Sequence, residues 1–385
     1  MRILFLNHEF SPQNWEAGNA SFYLLREYAK KPELEVDFVT ISTDDQYHLL
    51  AMGENISIHC LPIGKKQLDI NSLTKMEKFH FARQAYRFSL ELASKNRYDV
   101  SHAFSSFPSG LVALWLKKKI KLPYVISPQK SDVEMLGNKI ISFYVFKVWK
   151  KASFLVADSR RLGQLLLAAS VKREIKIISK GVDAGSFFPD SDKQDAEKFT
   201  ILCDSQILPI KGIRFLIQAF KILSGRYEKI QLLILGDGNE RKSLYDLARS
   251  LGVIEKITFL GDVSRENSLG YYQKAHVFAS ASQDNQVDNG VSIRFALASG
   301  LPIVTSQVDG VEDLVVEGWN GYFVGRSVAD DFAEKIEILI LDKNLRISMG
   351  KNSFQLAQDL SWERIATQYE YFYNETVNVA HVQEG

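Results

Sequence analysis

Two periods of apolar and polar positions alternate along the first half of the chain. Short apolar runs typical of buried strands are followed by longer stretches whose apolar residues recur at helical spacing. The predicted strands are RILFLN, EVDFVTIS, YDVSHAFS, PYVISP, SFLVADS and IKIIS, and the predicted helices are ASFYLLREYAKK, EKFHFARQAYRFSLELASK and GLVALWLKKK. Strands that alternate with helices predict a parallel sheet covered on both faces.

The same alternation begins again after a polar stretch with Gly and Pro, KGVDAGSFFPDSDKQDAEK, which is the best linker candidate. The later predicted strands are FTILCDSQ, IQLLILGDG, ITFLGDV and HVFASAS, and the helices are GIRFLIQAFKILSGR, ERKSLYDLARSLGV, NSLGYYQKA and the closing SWERIATQYEYFYNETV. We therefore expect an α/β chain with two doubly wound domains, residues 1–184 and 185–360, followed by a helix at 361–378. A ligand crevice is expected between the domains, beyond the carboxyl ends of the strands.

Composition narrows the class of protein. With 385 residues, 46% hydrophobic and 24% charged, the chain reads as a globular protein too long for one ordinary core. Cys60 and Cys203 are far apart, which predicts no disulfide framework and no metal cluster and fits a reducing compartment. The N-terminal apolar run meets His8 and Glu9 at once, so we expect a buried strand there rather than a signal peptide. No apolar run approaches the length of a membrane-spanning helix.

Charge is unevenly distributed along the chain. Residues 1–190 carry 27 Lys and Arg against 19 Asp and Glu, a net charge of +8, whereas the remainder carries 20 against 27, or −7. The stretches GLVALWLKKKIKLP and NKIISFYVFKVWKK set lysines beside aromatic residues, a combination suited to an anionic membrane surface. A core helix with a solvated basic edge explains them equally well. No nucleic-acid-binding motif is present, so no nucleic-acid partner is expected.

The segment SQDNQVDNGVSIRFALASGLPIVTS holds the best candidate phosphate site. It is predicted to be a loop, a helix from about Val291 and a strand, and the N–H groups at a helix N-terminus favour an anion. Gly290, Val291 and Ser292 would supply those groups, and Arg294 could clamp a diphosphate. The alternatives are a Ser292 that merely caps the helix and an Arg294 that points into water.

Two further candidates follow strands of the same half. Gly236 and Gly238 in LLILGDGNER would let backbone approach a ligand, although glycines there often serve only to turn the chain. Lys211 in SQILPIKG could neutralise a phosphate, or it could be a solvated lysine. Three such features at strand ends facing one crevice favour a ligand site over any single structural explanation.

The first half offers weaker candidates for a second substrate. Gly18 and Asn19 lie in the loop after the first strand, and His102, Gln129 and Asp132 follow later strands. A packed strand-end histidine is the more frequent explanation for His102, and Asp132 is partly explained as a helix cap.

With these stretches in place, the chain resembles a known family, the GT-B glycosyltransferases of family four, across essentially its whole length. The matching stretches include ILFLNHEFSP, YDVSHAFSS, IISKGVDAGSFFP, QILPIKGIRFLIQAF, LLILGDGNERKSL, ALASGLPIVTSQVDGVEDLV and EGWNGYFV. The resemblance implies two Rossmann-like domains, a nucleotide-sugar donor held by the second and an acceptor held by the first. It also implies metal-independent transfer with retention at the anomeric carbon and a last helix that crosses back to the first domain.

Several positions depart from the family pattern. Ser205 and Gln206 stand where members usually have Gly-Arg, and Gln129 stands where a histidine is frequent. Val287 and Phe295 stand where members usually have a pair of glutamates. Asp284 or Asp288 could replace the first glutamate, but no nearby residue could replace the second. Trp15 and Glu16 stand in place of a Gly-Gly pair.

These observations lead to one principal reading and two rivals. The principal reading is a cytoplasmic glycosyltransferase, peripheral on the inner face of the membrane, that adds a sugar to a glycan or lipid-linked glycan during cell-surface polysaccharide synthesis. In it Lys211, Arg294, Asp132 and His102 are catalytic; Gln206, Gly236, Gly238 and the Gly290–Ser292 segment bind the donor; and Gly18, Asn19 and Gln129 bind the acceptor.

The first rival is a catalytically silent homologue that acts as the partner or scaffold of an active transferase. The second, a sugar-nucleotide epimerase, needs more cleft carboxylates than Glu9, Glu16 and Asp132 supply.

Overall fold

The structure is a computed structural model. It describes residues 1–10, 20–65, 73–169, 171, 173–183, 185, 187–189, 197–283 and 290–384. The chain divides into unit 1, Met1–Gly181 with Trp362–Gly385, and unit 2, Val182–Ser361. Across the described ranges, no helix combines the length and the apolar character that crossing a membrane would require.

Unit 1 is built on an eight-stranded sheet with the order β3-β4-β2-β1-β5-β6-β7-β8. Its strands are β1 Arg2–Leu6, β2 Glu35–Ile41, β3 His48–Ala51, β4 Ile56–Leu61, β5 Val100–Ala103, β6 Tyr124–Ile126, β7 Phe154–Ala157 and β8 Ile175–Ile177. All pairs are parallel except β3 with β4, a hairpin that the sequence pattern did not predict. The helices are α1 Ala20–Tyr28, α2 Lys75–Lys95, α3 Ser109–Ile120, α4 Lys130–Glu134, α5 Lys139–Lys151, α6 Arg160–Ala168 and α13 Trp362–Glu384.

Unit 2 is built on a fully parallel six-stranded sheet with the order β11-β10-β9-β12-β13-β14. Its strands are β9 Phe199–Asp204, β10 Ile230–Leu235, β11 Ile257–Gly261, β12 Val277–Ser280, β13 Ile303–Ser306 and β14 Gly321–Val324. Its helices are α7 Ile213–Arg226, α8 Arg241–Ser250, α9 Arg265–Lys274, α10 Val291–Ala298, α11 Ala329–Leu341 and α12 Lys343–Asp359. The predicted α/β architecture of two doubly wound parallel sheets is confirmed.

Helices cover both faces of the unit 1 sheet, and each layer has its own core. On one face α2, α3 and α5 pack over strand residues such as Leu4 and Val39. On the other, α1 and α13 pack over Phe5 and Phe38. Because strands buried on both faces must be apolar at nearly every position, these strands show runs of Val, Ile, Leu and Phe rather than alternation.

The lysine- and aromatic-rich segment before β7 forms α5, which has one buried side and one exposed side. Trp149 of α5 is buried, and its Nε1 donates to Ser106 Oγ at 2.7 Å. Lys117 of α3 donates to the carbonyl of Lys151 at 2.8 Å, and burial lowers its pKa. The opposite face of α5 is exposed and carries Phe143. One side of the helix is therefore core and the other is surface.

Candidate functional sites

The strand order of unit 2 reverses between β9 and β12, the neighbours at the centre of its sheet. In open parallel sheets, ligands bind outside the carboxyl ends of the strands at such a point. The segments that follow β9, β10 and β12 meet at this edge, and the N-terminus of α10 is joined to it. We call this edge the donor edge, because the sequence predicts the donor site there.

Gly236 and Gly238 allow two loops of the donor edge to touch. Both have positive φ, +108° and +159°, and an added Cβ would lie 2.1 Å from the Ser205 oxygen and 2.3 Å from the Ile207 oxygen, respectively. Ile207 N also donates to the carbonyl of Asp237 at 2.9 Å. The glycines are thus required by the loop after β9, whether or not they also line a ligand. Gln206, the other predicted donor residue here, is exposed.

Lys211 ends a short 3₁₀ turn, Pro209–Lys211, that joins the loop after β9 to the end of β12. Gln283 N donates to the Ile210 carbonyl at 2.8 Å, and the positive φ of Gly212, +61°, brings that glycine against the Ala281 carbonyl. The Lys211 side chain is half-buried. The turn therefore fixes the lysine at the donor edge.

The N-terminus of α10 is joined to the end of β9 by Tyr272. The Tyr272 hydroxyl donates to Asp204 Oδ2 at 2.6 Å and lies 3.4 Å from the Ser292 carbonyl. Burial raises the pKa of Tyr272, so it stays a protonated donor. Gly290, with φ +59°, caps the helix, and Val291 and Ser292 are half-buried in its first turn. The predicted donor segment is thereby held against the central strand.

Arg294 and Phe295 have different surroundings on the same helix. Arg294 is only 8% exposed. Phe295, where the family pattern has an acid, stacks on Phe187 with ring centroids 4.2 Å apart and meets Tyr272 edge-on. The guanidinium of Arg265 lies 5.1 Å from the Phe295 ring. An aromatic cluster thus occupies the second expected acid position.

The remaining loop positions lie outside the described residues. They are the donor-loop residues Asp284, Val287 and Asp288, together with the first-domain residues Trp15, Glu16, Gly18 and Asn19. Their predicted roles remain predictions. Within the part of the chain that the structure does describe, no group of three or more His, Cys, Asp or Glu side chains is arranged to hold a metal ion.

The order of unit 1 reverses between β1 and β5, so the corresponding edge lies at the carboxyl ends of these strands. His8 and Glu9 follow β1 there. His8 is 1% exposed, and among the described residues neither of its ring nitrogens has a hydrogen-bond partner. Its Nε2 lies 3.6 Å from Glu9 Oε1. Burial, with a smaller contribution from the charge of Lys78, lowers the pKa of His8 to about 3, so the imidazole is neutral.

His102 has both of its nitrogens engaged. Nδ1 pairs with the Tyr373 hydroxyl at 2.6 Å and Nε2 with Ser127 Oγ at 2.8 Å. The ring is fully buried and stacks on Phe104 at 4.0 Å. These contacts favour a core role for His102 over the predicted catalytic one.

Asp132 organises the loops after β5 and β6. Its carboxylate accepts from the backbone N–H groups of Ser106 and Gln129, both at 2.8 Å, and from Phe107 at 3.4 Å. Burial raises its pKa, although these three donors oppose the shift. Gln129 is half-buried and its amide donates to the Phe104 carbonyl at 3.2 Å. Asp132 therefore holds the backbone of these two loops in position.

His8 is the residue of this edge that sequence reasoning missed. The available signal was a histidine directly after a fully apolar first strand, at the edge where ligands are expected. The pattern could not show that its nitrogens are unpaired, because that depends on packing against distant residues such as Phe81.

Family models cover most of the chain. Residues 22–185 match the model for glycosyltransferase family 4, and residues 187–356 match glycosyl transferases group 1. The chain belongs to this family of GT-B glycosyltransferases, as the sequence resemblance predicted, and it is a transferase by class.

Known relatives agree with this assignment. An uncharacterized glycosyltransferase of Methanocaldococcus jannaschii, MJ1178, is 24% identical over 339 residues, covering 86% of this chain and 90% of its own. The capsular polysaccharide biosynthesis glycosyltransferase CapM of Staphylococcus aureus is 28% identical over 245 residues, covering 58% of this chain and 63% of its own. The structure of Anabaena HepE in complex with UDP superposes with a TM-score of 0.74 at 18% identity and covers 97% of this chain and 100% of its own, which shows a shared fold.

Proposed function

We propose that this protein transfers a sugar from a nucleotide-sugar donor to a glycan or lipid-linked glycan, with retention of anomeric configuration and without a metal ion. The observation that carries the proposal is the construction of the donor edge. Three strand-end segments and the N-terminus of α10 converge there; Lys211 lies on one of these segments and Arg294 in α10. These are positively charged or N–H-rich groups, and the donor of this family is an anion.

The chemistry follows from the charge that develops during transfer. As the glycosidic bond to the nucleoside diphosphate breaks, negative charge accumulates on the leaving phosphate. Preorganised donors aimed at that charge stabilise the transition state. In our proposal the first N–H groups of α10, from Gly290 to Ser292, bind the phosphate, and Lys211 and Arg294 neutralise it. Gly236 and Gly238 let the chain pass close to the nucleotide.

We place the acceptor at the edge of unit 1, beside His8, Glu9 and Gln129. A neutral imidazole, such as that of His8, can both accept from and donate to a sugar hydroxyl, and its two nitrogens have no hydrogen-bond partner within the described ranges. CapM supports a polysaccharide acceptor, since its name assigns it to capsule synthesis. An acceptor carried on a lipid would place the reaction on the inner face of the membrane, which is the location we propose.

A thermal-shift screen with UDP, GDP, ADP and CMP tests the donor edge. A ligand that binds only the folded state stabilises it by about 2.7 kcal/mol at a hundredfold excess over Kd. UDP is the first choice because HepE binds it. We expect one nucleotide class to raise the melting temperature, Lys211→Ala to weaken that shift, and Lys221→Ala, an exposed lysine of α7, to leave it unchanged. Equal shifts in both variants would contradict the role of Lys211.

The aromatic cluster around Phe295 favours a second candidate, a catalytically silent partner of an active transferase. A packed phenylalanine cannot replace a carboxylate as a hydrogen-bond acceptor. If no nucleotide at millimolar concentration shifts the melting temperature, and no sugar nucleotide is hydrolysed or consumed, the silent role becomes the better explanation. Formation of an epimeric sugar nucleotide would instead identify an epimerase.

A further inference from the structure

A basic groove lies between α2 and α3 of unit 1. It is lined by Arg83, Tyr86, Arg87, Trp115, Lys118 and Lys119 and has a volume of about 520 Å³. Tyr86 and Trp115 meet edge-on in it, with ring centroids 5.5 Å apart. The sequence pattern indicated Trp115 and the lysines but not the two arginines, which come from the preceding helix, α2.

The four cations of this groove lack ionic partners in the part of the chain that the structure describes. Arg83, Arg87, Lys118 and Lys119 are exposed, and none of them has an ion-pair or hydrogen-bond partner among the described residues. None of the side chains that line the groove is acidic. Four like charges facing one groove repel one another, and an anion bound between them would relieve that repulsion.

The surface beside the groove is apolar as well as basic. α3 packs against both α2 and α5, so the three helices lie side by side. On α5, Ile140 is 73% exposed and Phe143 is 61% exposed, and Lys147 Nζ lies 5.3 Å from the Phe143 ring. The α5 sequence, KIISFYVFKVWKK, contains no acidic residue. At the start of α2, Met76 is 84% exposed.

We propose that α2, α3 and α5 form a membrane-docking surface. The groove binds the phosphate of an anionic phospholipid, and the apolar side chains of α5 enter the headgroup region. Aromatic and aliphatic residues among lysines are the composition that binds anionic bilayers, and each basic residue adds to the attraction. A soluble phosphate would satisfy the groove but would leave Ile140, Phe143 and Met76 exposed, so the bilayer is the occupant that accounts for both features. The assignment rests on the membrane location proposed above and does not depend on transfer activity.

Co-sedimentation with vesicles tests the surface. The full-length protein is mixed with phosphatidylcholine vesicles and with vesicles that also contain phosphatidylglycerol, in 0.1 M NaCl. We expect at least tenfold stronger binding to the anionic vesicles, and loss of that difference in 0.5 M NaCl, where charges are screened. A groove variant, Arg83→Gln, Arg87→Gln, Lys118→Gln and Lys119→Gln, should lose at least tenfold in binding.

The control variant removes the same number of positive charges, four, from unit 2. The variant Lys221→Gln, Lys229→Gln, Lys242→Gln and Lys351→Gln alters four exposed lysines and should bind the vesicles as the wild type does. A second variant, Ile140→Ser with Phe143→Ser, keeps every charge and should bind anionic vesicles several-fold more weakly. Equal losses in the groove and control variants, or equal binding to both vesicle types, would overturn the proposal. Release from vesicles by millimolar glycerol phosphate or pyrophosphate would instead show that the groove binds a soluble anion. The nucleotide affinity of the groove variant is measured as well. If that variant loses vesicle binding but still binds the nucleotide, the loss concerns the groove and not the proposed donor site.

Discussion

At the scale of single residues, His8 and His102 show two ways of burying an imidazole in unit 1. Both nitrogens of His102 are hydrogen-bonded to hydroxyl groups, whereas neither nitrogen of His8 has a partner in the described part of the chain. An unpaired buried polar group costs about 1–3 kcal/mol, and such a cost is commonly found at a functional site. Both histidines are neutral, since burial lowers the pKa of each to about 3.

The His8 pKa predicts a pH dependence of stability. Because the folded-state pKa lies below the ordinary value of 6.5, the unfolded state takes up the proton first as the pH falls. The free energy of unfolding therefore decreases below pH 6.5, until the folded state is protonated near pH 3. At pH 5 the decrease in the free energy of unfolding that is due to His8 amounts to about 2 kcal/mol. In urea titrations, the loss of stability between pH 7 and pH 5 should be smaller by about that amount in His8→Asn. An unchanged pH dependence in that variant would contradict the shift.

The backbone contact at Gly236 predicts a large effect of one methyl group. In Gly236→Ala the new Cβ would lie 2.1 Å from the Ser205 oxygen, at a φ that side chains rarely adopt. We expect a loss of at least about 2 kcal/mol in the free energy of unfolding. Gly225→Ala, in α7 with open space around it, is the control and should be neutral or stabilising by roughly 0.5–1 kcal/mol. Urea denaturation of both variants checks this, and similar free energies would refute the steric argument.

At the scale of secondary-structure elements, Tyr272 of α9 fixes α10 relative to β9. Removing its hydroxyl in Tyr272→Phe leaves the ring packing but frees Asp204 from a 2.6 Å hydrogen bond. We expect the affinity for the donor nucleotide to fall several-fold, because the first turn of α10 is then less rigidly placed. Tyr245→Phe, at an exposed tyrosine of α8, should have no effect. Calorimetric titration with the nucleotide found in the screen measures both, and equal affinities would show that the hydrogen bond does not position the helix.

The sequence predicted most of the strands and the longer amphipathic helices, because most strands are buried apolar runs and those helices have a 3.6-residue period. It missed strands such as β3, whose residues are only partly buried. The sequence could not predict which residues come into contact beyond the ends of the strands and between neighbouring helices. The sequence pattern indicated that Gly236 contacts a ligand or turns the chain. The structure shows that a glycine is required there because Ser205, thirty-one residues earlier in the sequence, lies against it. Arg83 and Trp115 likewise share a groove only through packing of α2 on α3. Such pairings depend on tertiary structure, which local patterns do not encode.

At the scale of the whole molecule, α13 completes the core of unit 1. Trp362 stacks on Tyr23 with ring centroids 4.8 Å apart and planes 4° from parallel. Gly181 is required beneath it, since a Cβ there would lie 2.3 Å from the indole. Farther along the helix, Tyr373 is fully buried and bonds to His102. A segment distant in sequence thus supplies part of the layer that covers β1 and β5.

Trp362→Ala should destabilise unit 1 selectively. Removing a buried tryptophan costs about 3–5 kcal/mol. Hydrogen exchange should show lost protection in α1 and β1, with β9 and β10 of unit 2 unchanged. Trp319→Ala, in unit 2 and 37% exposed, serves as the control and should leave unit 1 protected. Uniform loss of protection across both units would show that they unfold together.

The place of α13 in the sequence has a consequence for synthesis on the ribosome. Unit 2 is encoded without interruption and can complete its sheet as soon as residue 361 has emerged. Unit 1 is translated before unit 2, yet it lacks the helix whose Tyr373 packs against Phe5 until residues 362–384 leave the exit tunnel. During translation, the nascent chain therefore carries an exposed apolar sheet face for the time needed to make about 180 further residues, roughly ten to forty seconds at ordinary elongation rates. Of the two units, the one translated first is therefore the one whose apolar surface a chaperone would have to protect.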